Sequence, residues 1–280
     1  MKGTGIQVLF CCAVVTVSLI ATSCSTAPEG PKIGTPAFYW SAAKQTFAAG
    51  DYLRANDNLA QVTKSDNEFT ARALPWRLVV ASGLAQGFMD LAENFELGAH
   101  ANRNNPTPFR RQVNMYRTQA SQLALQFAES LQKFEATKDP NVTLAFPYPS
   151  GSLSMPTQLK RVTSGILVQQ SDIDDLEKHL LAKGVLLAAC RAVGAPEDTA
   201  KAQHTLKGET TQVPRDVFTL ALANTLYEQS QLFTRDRLDR PDRLQMFCNE
   251  ALEILQGLKE NKEAKALAAK IQKSLKKLKG

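Results

Sequence analysis

The amino-acid sequence predicts an all-α fold of about nine to ten helices, packed as antiparallel hairpins into an α-solenoid or an irregular helical bundle. Two observations carry this prediction. Apolar residues recur at spacings of three and four along most of the 280 residues, and no segment shows the alternation that is typical of a strand. Prolines and glycines fall mainly between these periodic segments, where helices begin and end.

The first half of the chain contains two predicted helix pairs. Residues 36–49 and 52–64 form a short pair around Gly50, and a long helix follows over about 75–101. Gly83 and Gly87 lie four residues apart in that long helix, so another helix could approach it closely there. The cleanest amphipathic pattern follows and predicts a second long helix, which pairs with the first as an antiparallel hairpin. Its apolar positions are Phe109, Val113, Tyr116, Ala120, Leu123, Phe127, Leu131 and Phe134.

The second half predicts a series of shorter helices. Their starts lie near residues 159, 171, 196, 214, 241 and 261. The helix that begins at Pro214 is mainly apolar on two sides and is therefore expected to be central. One side has Val217, Leu220, Ala221, Asn224 and Tyr227, and the other has Leu222, Leu226 and Phe233.

A proline-rich segment, residues 139–156, interrupts the helical pattern. An irregular stretch of this length inside a domain is often functional, and this one is too apolar for a free linker. We therefore expect it to lie in a groove or to line a pocket. The aromatic side chains proposed to line that groove or pocket are Trp76, Phe88, Tyr116, Phe146 and Tyr148.

The N-terminus has the features of an export signal. Lys2 precedes an uncharged apolar run over residues 6–20, which is followed by Ala21-Thr22-Ser23-Cys24. This segment resembles the lipobox of bacterial lipoproteins, although Ala21 stands where leucine is commonest. The resemblance implies cleavage before Cys24 and attachment of a diacylglycerol to its sulfur, which would anchor the protein in a membrane.

The same resemblance divides the chain into three parts. Residues 1–23 are the predicted signal peptide, residues 24–34 the lipidated cysteine with a flexible tether, and residues 35–280 a single helical domain. In double-membrane bacteria, Ser25 after the lipidated cysteine favours the outer membrane over the inner one. The predicted location is thus the cell envelope, with the domain facing the periplasm.

The first helix pair resembles one tetratricopeptide repeat over about 30 residues. The matching residues are Tyr39, Ala43, Gly50, Tyr52, Ala55, Leu59 and Val62, whereas Thr46 stands where an aromatic residue is usual. The resemblance implies stacked helix pairs that present a concave binding surface.

Two cysteines remain in the predicted mature chain besides Cys24. Cys190 and Cys248 lie on different predicted helices in a compartment that favours oxidation. A disulfide would join these two helices, and the alternative is a pair of buried structural thiols on apolar faces.

Charge and motifs argue against several function classes. Without residues 1–23 the chain has 32 basic and 27 acidic residues, a net charge of +5 that is concentrated at the C-terminus and does not indicate a nucleic-acid binder. The lysines of the last helix either contact anionic lipid headgroups or an acidic partner, or form a solvated outer face. The three histidines have no metal-ligand spacing, and no catalytic motif is present, so we predict no enzyme activity, metal or cofactor.

The function expected from these observations is that of a membrane-anchored scaffold for protein–protein interaction in the cell envelope. Its partner would be another envelope protein or a peptide, and the oligomeric state stays open. The alternative is a ligand-binding accessory component of a transport system, similar to the tetratricopeptide-like lipoproteins associated with TRAP transporters.

Overall fold

The computed structural model describes residues 30–258 and 260–279; the predicted signal peptide and Cys24 lie outside this part of the chain. The described residues form ten α-helices and one two-stranded sheet, which confirms the all-α prediction. The elements are α1 (Pro36–Ala48), α2 (Tyr52–Val62), α3 (Thr70–Ala101), α4 (Thr107–Glu135), β1 (Asn141–Leu144), α5 (Thr157–Thr163), α6 (Gln170–Ala192), α7 (Thr199–Thr205), β2 (Thr211–Pro214), α8 (Arg215–Ser230), α9 (Pro241–Gln256) and α10 (Lys262–Lys279), with a 3₁₀ turn at Gln231–Phe233.

The first helix pair forms as predicted. The Asp51 carboxylate accepts a hydrogen bond from the backbone N–H of Arg54 at 3.2 Å and caps the start of α2. Gly50 has a φ of +76°, a conformation that glycine adopts without strain, and this turns the chain between the helices. Phe47 and Tyr52 then pack edge to face with ring centroids 5.0 Å apart, which joins α1 to α2.

The two long helices, α3 and α4, form the predicted antiparallel hairpin. Phe88 pairs with Tyr116 at 5.9 Å and Phe95 with Phe109 at 6.3 Å, so residue numbers rise along α3 as they fall along α4. The start of α3 differs from the prediction, because the helix begins at Thr70 and includes Pro75 in its second turn. None of the helices among the described residues is apolar over a long enough stretch to cross a bilayer.

A glycine contact joins α3 to α6. A Cβ atom added to Gly184 would overlap the backbone carbonyl of Gly83 and lie 2.9 Å from the backbone nitrogen of Gly87. The two helix backbones therefore touch at a place where no side chain fits between them. The predicted close approach at Gly83 and Gly87 is confirmed, and α6 is the helix that makes it.

The sheet was not predicted. Strands β1 and β2 pair antiparallel over four residues each, with Val142 opposite Val213, and both of these side chains are buried. The backbone N–H of Arg215 donates to the carbonyl of Pro140 at 2.9 Å and continues the pairing to the start of α8. Strand β1 lies inside the proline-rich segment, so this segment is attached to the body by main-chain hydrogen bonds.

Candidate functional site

The aromatic side chains that were expected to line a groove lie inside the core instead. Trp76 is fully buried, and its ring contacts the rings of Trp40 at 5.3 Å, Phe47 at 5.2 Å and Phe146 at 5.9 Å. Phe146 is 1 % exposed. The expectation of a groove at these residues is therefore wrong, because α1 and the proline-rich segment cover Trp76 on both sides.

The other three residues of that set divide between the core and the surface. Phe88 and Tyr116 are buried between α3 and α4. Burial and the nearby carboxylate of Glu177 raise the pKa of Tyr116 above its ordinary range, so the phenol stays protonated. Tyr148 is half-buried, and burial together with the neighbouring Cys190 raises its pKa. None of these side chains lines a described cavity.

The proline-rich segment bridges α2 and α6. The Tyr52 hydroxyl donates to the carbonyl of Ser150 at 2.6 Å, and His179 Nε2 donates to the carbonyl of Ser154 at 2.8 Å. Gly151 passes so close to α6 that an added Cβ would lie 2.9 Å from the carbonyl oxygen of Ala182. The segment is thus part of the packed body rather than a free loop.

The two cysteines of the body are separate buried thiols, not a disulfide. Cys248 Sγ donates to the Ser230 hydroxyl at 3.5 Å. Burial raises the pKa of both thiols, which favours the unreactive protonated form. The structure therefore agrees with the second interpretation of Cys190 and Cys248, two buried structural thiols, and not with a disulfide.

An acidic cavity opens between α2 and α6, with a volume of about 590 Å³. Its charged residues are Asp51, Asp174, Glu177 and Lys178. Burial and the neighbouring Asp174 raise the pKa of Glu177, because both disfavour a second negative charge at this place.

A second open cavity, here called the α6–α8 groove, has a volume of about 660 Å³. It runs between the end of α6, one side of α8 and the start of α10. Its lining residues are Arg191, Gly194, Pro196, Asp216, Val217, Leu220, Ala221, Asn224, Glu228, Asn261, Lys262 and Glu263. Apolar and polar side chains are interspersed along it.

An ion pair forms the inner edge of the α6–α8 groove. The Arg191 guanidinium donates to the Glu228 carboxylate, and both side chains also line a small chamber of about 10 Å³ behind the groove. That volume holds about one water molecule. The groove is therefore the larger of these two neighbouring spaces and is the one that could hold a partner.

One pattern in the sequence indicates this groove. Helix α8 was predicted to be central because it is apolar on two sides, and the structure uses these sides differently. Phe218, Leu222 and Leu226 are buried in the core, whereas Val217 and Ala221 remain partly exposed in the groove. Helical periodicity identifies an apolar side, but it does not tell whether this side meets the core or a groove.

An acidic cluster lies where the end of α4 meets α9. Burial, together with the carboxylates of Glu135 and Glu253, raises the pKa of Glu250 to about 7 from an ordinary value of 4.5. Burial and Glu253 also raise the pKa of Glu135, while the guanidinium of Arg215 lowers it. The folded state therefore binds a proton at Glu250 more tightly than the unfolded chain does.

We expect Glu250→Gln to stabilise the protein only at neutral and higher pH. Folding raises the pKa of Glu250, so the folded protein loses stability as the pH rises from the unfolded pKa of this group through its folded pKa. This loss of stability is complete above about pH 7 and absent near pH 4. The gain should be about 1 to 2 kcal/mol near pH 8, because solvent screens this half-exposed group. Urea unfolding at both pH values measures it, with the exposed Glu197→Gln as the control; equal effects at both pH values would contradict the assignment.

In residues 30–258 and 260–279, no three His, Cys, Asp or Glu side chains lie close enough together to hold a metal ion. No protein-family model, curated protein or solved structure matches the chain.

Proposed function

We propose that this protein is a lipid-anchored scaffold of the bacterial cell envelope that binds an extended segment of a partner protein in the α6–α8 groove. The observation that carries this proposal is the composition of the groove. Val217, Leu220 and Ala221 supply apolar surface, and Asn224 and Asn261 supply amides within the same open cavity.

An extended peptide needs both kinds of surface. Its side chains lose contact with water when they meet Val217 and Ala221, and its main-chain amides need donors and acceptors to replace water. Part of each asparagine amide is used within the body: Asn224 Nδ2 donates to the carbonyl of Leu220 at 3.1 Å, and Asn261 Oδ1 accepts from the backbone N–H groups of Glu263 and Ala264. The Asn224 oxygen and the Asn261 amide N–H groups remain as an acceptor and donors that suit a main chain of any sequence. Stacked helical hairpins present such grooves in many binding proteins.

The anchor is the second part of the proposal. The lipobox-like segment that ends at Cys24 supports lipidation at this residue, and Ser25 supports the outer membrane, with the body facing the periplasm. A tether over residues 24–34 reaches at most about 40 Å when fully extended, so the body would stay near the bilayer.

Photocrosslinking in intact cells tests this function. A crosslinking amino acid at Ala221, inside the groove, should give an adduct of one defined mass, and the same group at the exposed Ala200 should not. Val217→Asp, which places a charge on the apolar surface of the groove, should reduce the adduct more than fivefold, while the exposed Gln212→Asp should leave it unchanged.

Three further results bear on the anchor and on the groove. Cys24→Ala should release the protein from the membrane fraction if this residue carries the anchor. Equal adducts at Ala221 and Ala200 would contradict binding in the groove. A small molecule that co-purifies in place of any adduct would favour the ligand-binding accessory of a transport system.

A further inference from the structure

Helix α10 carries the whole positive excess of the predicted mature chain. It contains seven lysines and one glutamate, a net charge of +6, whereas the chain from Cys24 onward has a net charge of +5. All residues outside α10 therefore sum to −1. A charge so unevenly distributed produces a strong local positive potential on a nearly neutral body.

Six of the seven lysines lie on one side of the helix. Ala264, Leu267 and Ile271 are buried and attach α10 to the body. At 100° per residue, the exposed lysines fall within an arc of about 140° on the opposite side and span about 22 Å of helix. These residues, here called the lysine face, are Lys262, Lys265, Lys270, Lys273, Lys276 and Lys277.

The lysine face is not neutralised by the rest of the described body. Among residues 30–258 and 260–278, no carboxylate oxygen lies within 4.0 Å of a lysine nitrogen of this face. Several arginines elsewhere are paired with carboxylates, for example Arg117 with Glu96 at 2.7 Å and Arg237 with Glu93 at 2.6 Å. Lys270 Nζ lies over the Tyr227 ring, 4.9 Å from its centroid, a contact that leaves its charge unneutralised. The positive charge of α10 can therefore attract an external anion.

We propose that the lysine face docks on the anionic phospholipid surface of the membrane to which the protein is anchored. The inference rests on the proposed anchor at Cys24, which would bring the body to such a surface. Helix α10 has seven lysines and no arginine. Lysine is a compact point charge that suits a diffuse layer of headgroups, whereas arginine is preferred where one carboxylate or phosphate is bound in a fixed geometry.

Docking would also strengthen the attachment. Each lysine held near an anionic surface raises membrane affinity about fivefold, and this attraction falls off within a Debye length of about 10 Å. A helix fixed to the body by Ile271 presents its lysines together, so the surface would orient the domain as well as hold it.

Energy transfer from α10 to labelled lipid headgroups tests the inference. The full mature chain is attached to vesicles, and a fluorophore is placed at Ala269→Cys, an exposed position in the middle of the lysine face. Transfer should be strong in vesicles that contain phosphatidylglycerol and weak in pure phosphatidylcholine. The same fluorophore at the exposed Gln122→Cys of α4 serves as the positional control.

Charge and salt distinguish docking from simple proximity. The triple change Lys270→Gln, Lys273→Gln and Lys277→Gln should lower the transfer from Ala269→Cys at least fivefold, and so should molar salt. The inference is overturned if transfer is unaffected by these changes, is the same in neutral vesicles, or is equal from Gln122→Cys.

The anchor and the docking are measured separately. Flotation of the chain with pure phosphatidylcholine vesicles reports the lipid at Cys24. A chain that does not float with these vesicles counts against the proposed function alone. Salt-sensitive transfer in phosphatidylglycerol vesicles reports the lysine face, and its absence overturns the docking whether or not the chain floats.

Discussion

Gly184→Ala is expected to lower the free energy of unfolding by about 3 kcal/mol. The new Cβ would overlap the carbonyl of Gly83 and come within 2.9 Å of the backbone nitrogen of Gly87. Both obstacles are backbone atoms of α3, so relief requires that the two helices move apart. The better helix propensity of alanine returns only about 1 kcal/mol. Urea unfolding followed by circular dichroism measures the difference.

Gly208→Ala is the matched control for this prediction. An added Cβ at Gly208 meets only Thr210, its carbonyl oxygen at 3.5 Å and its backbone nitrogen at 3.9 Å, which are ordinary contacts, so stability should change by less than about 0.5 kcal/mol. A loss below about 1 kcal/mol for Gly184→Ala would mean that α6 moves away from α3 easily, and the glycine contact would then not determine how closely these helices pack.

This contact shows what helical periodicity can predict and what it cannot. The spacing of Gly83 and Gly87 predicted that a helix would approach α3, because only glycines four residues apart leave such a surface. The partner could not be predicted, since Gly184 lies about a hundred residues away and its own helix carries no matching pair. Which helices pack together depends on long-range complementarity, which a local pattern does not contain.

The sheet and the start of α3 were missed for local reasons. Strand β1 has only four residues, so its polar and apolar residues alternate only twice. This pattern, with Val142 and Leu144 as its apolar positions, is too short to distinguish a strand from an apolar loop. For α3, the sequence predicts a start at about Pro75. The helix begins earlier because the Thr70 hydroxyl accepts a hydrogen bond from the backbone N–H of Asn67 at 3.0 Å, and the Asn67 side chain accepts one from Phe69 at 2.9 Å.

The candidate site was the least predictable part. Aromatic residues at helical spacing fill cores and line grooves equally well, so Trp76 and Tyr116 could be assigned to either. In the structure they fill the core, and the α6–α8 groove is lined by smaller residues such as Val217 and Ala221. The groove lies between α6, α8 and the start of α10, and the separate positions of these elements in the sequence hide this arrangement.

The proline-rich segment gives the second large prediction, because one of its side chains belongs to the core. Phe146→Ala should lower the free energy of unfolding by about 3 to 4 kcal/mol, since it leaves a cavity beside the rings of Trp76, 5.9 Å away, and Phe47, 5.7 Å away. Leu153→Ala in the same segment is the control, and because Leu153 is 44 % exposed it should change stability by less than about 1 kcal/mol. Urea unfolding measures both, and limited proteolysis should cut the segment faster in Phe146→Ala alone. Equal effects of the two substitutions would mean that the proline-rich segment only lies on the surface of the core. In that case α1 and α2 would have to bury Trp76 without a contribution from the proline-rich segment.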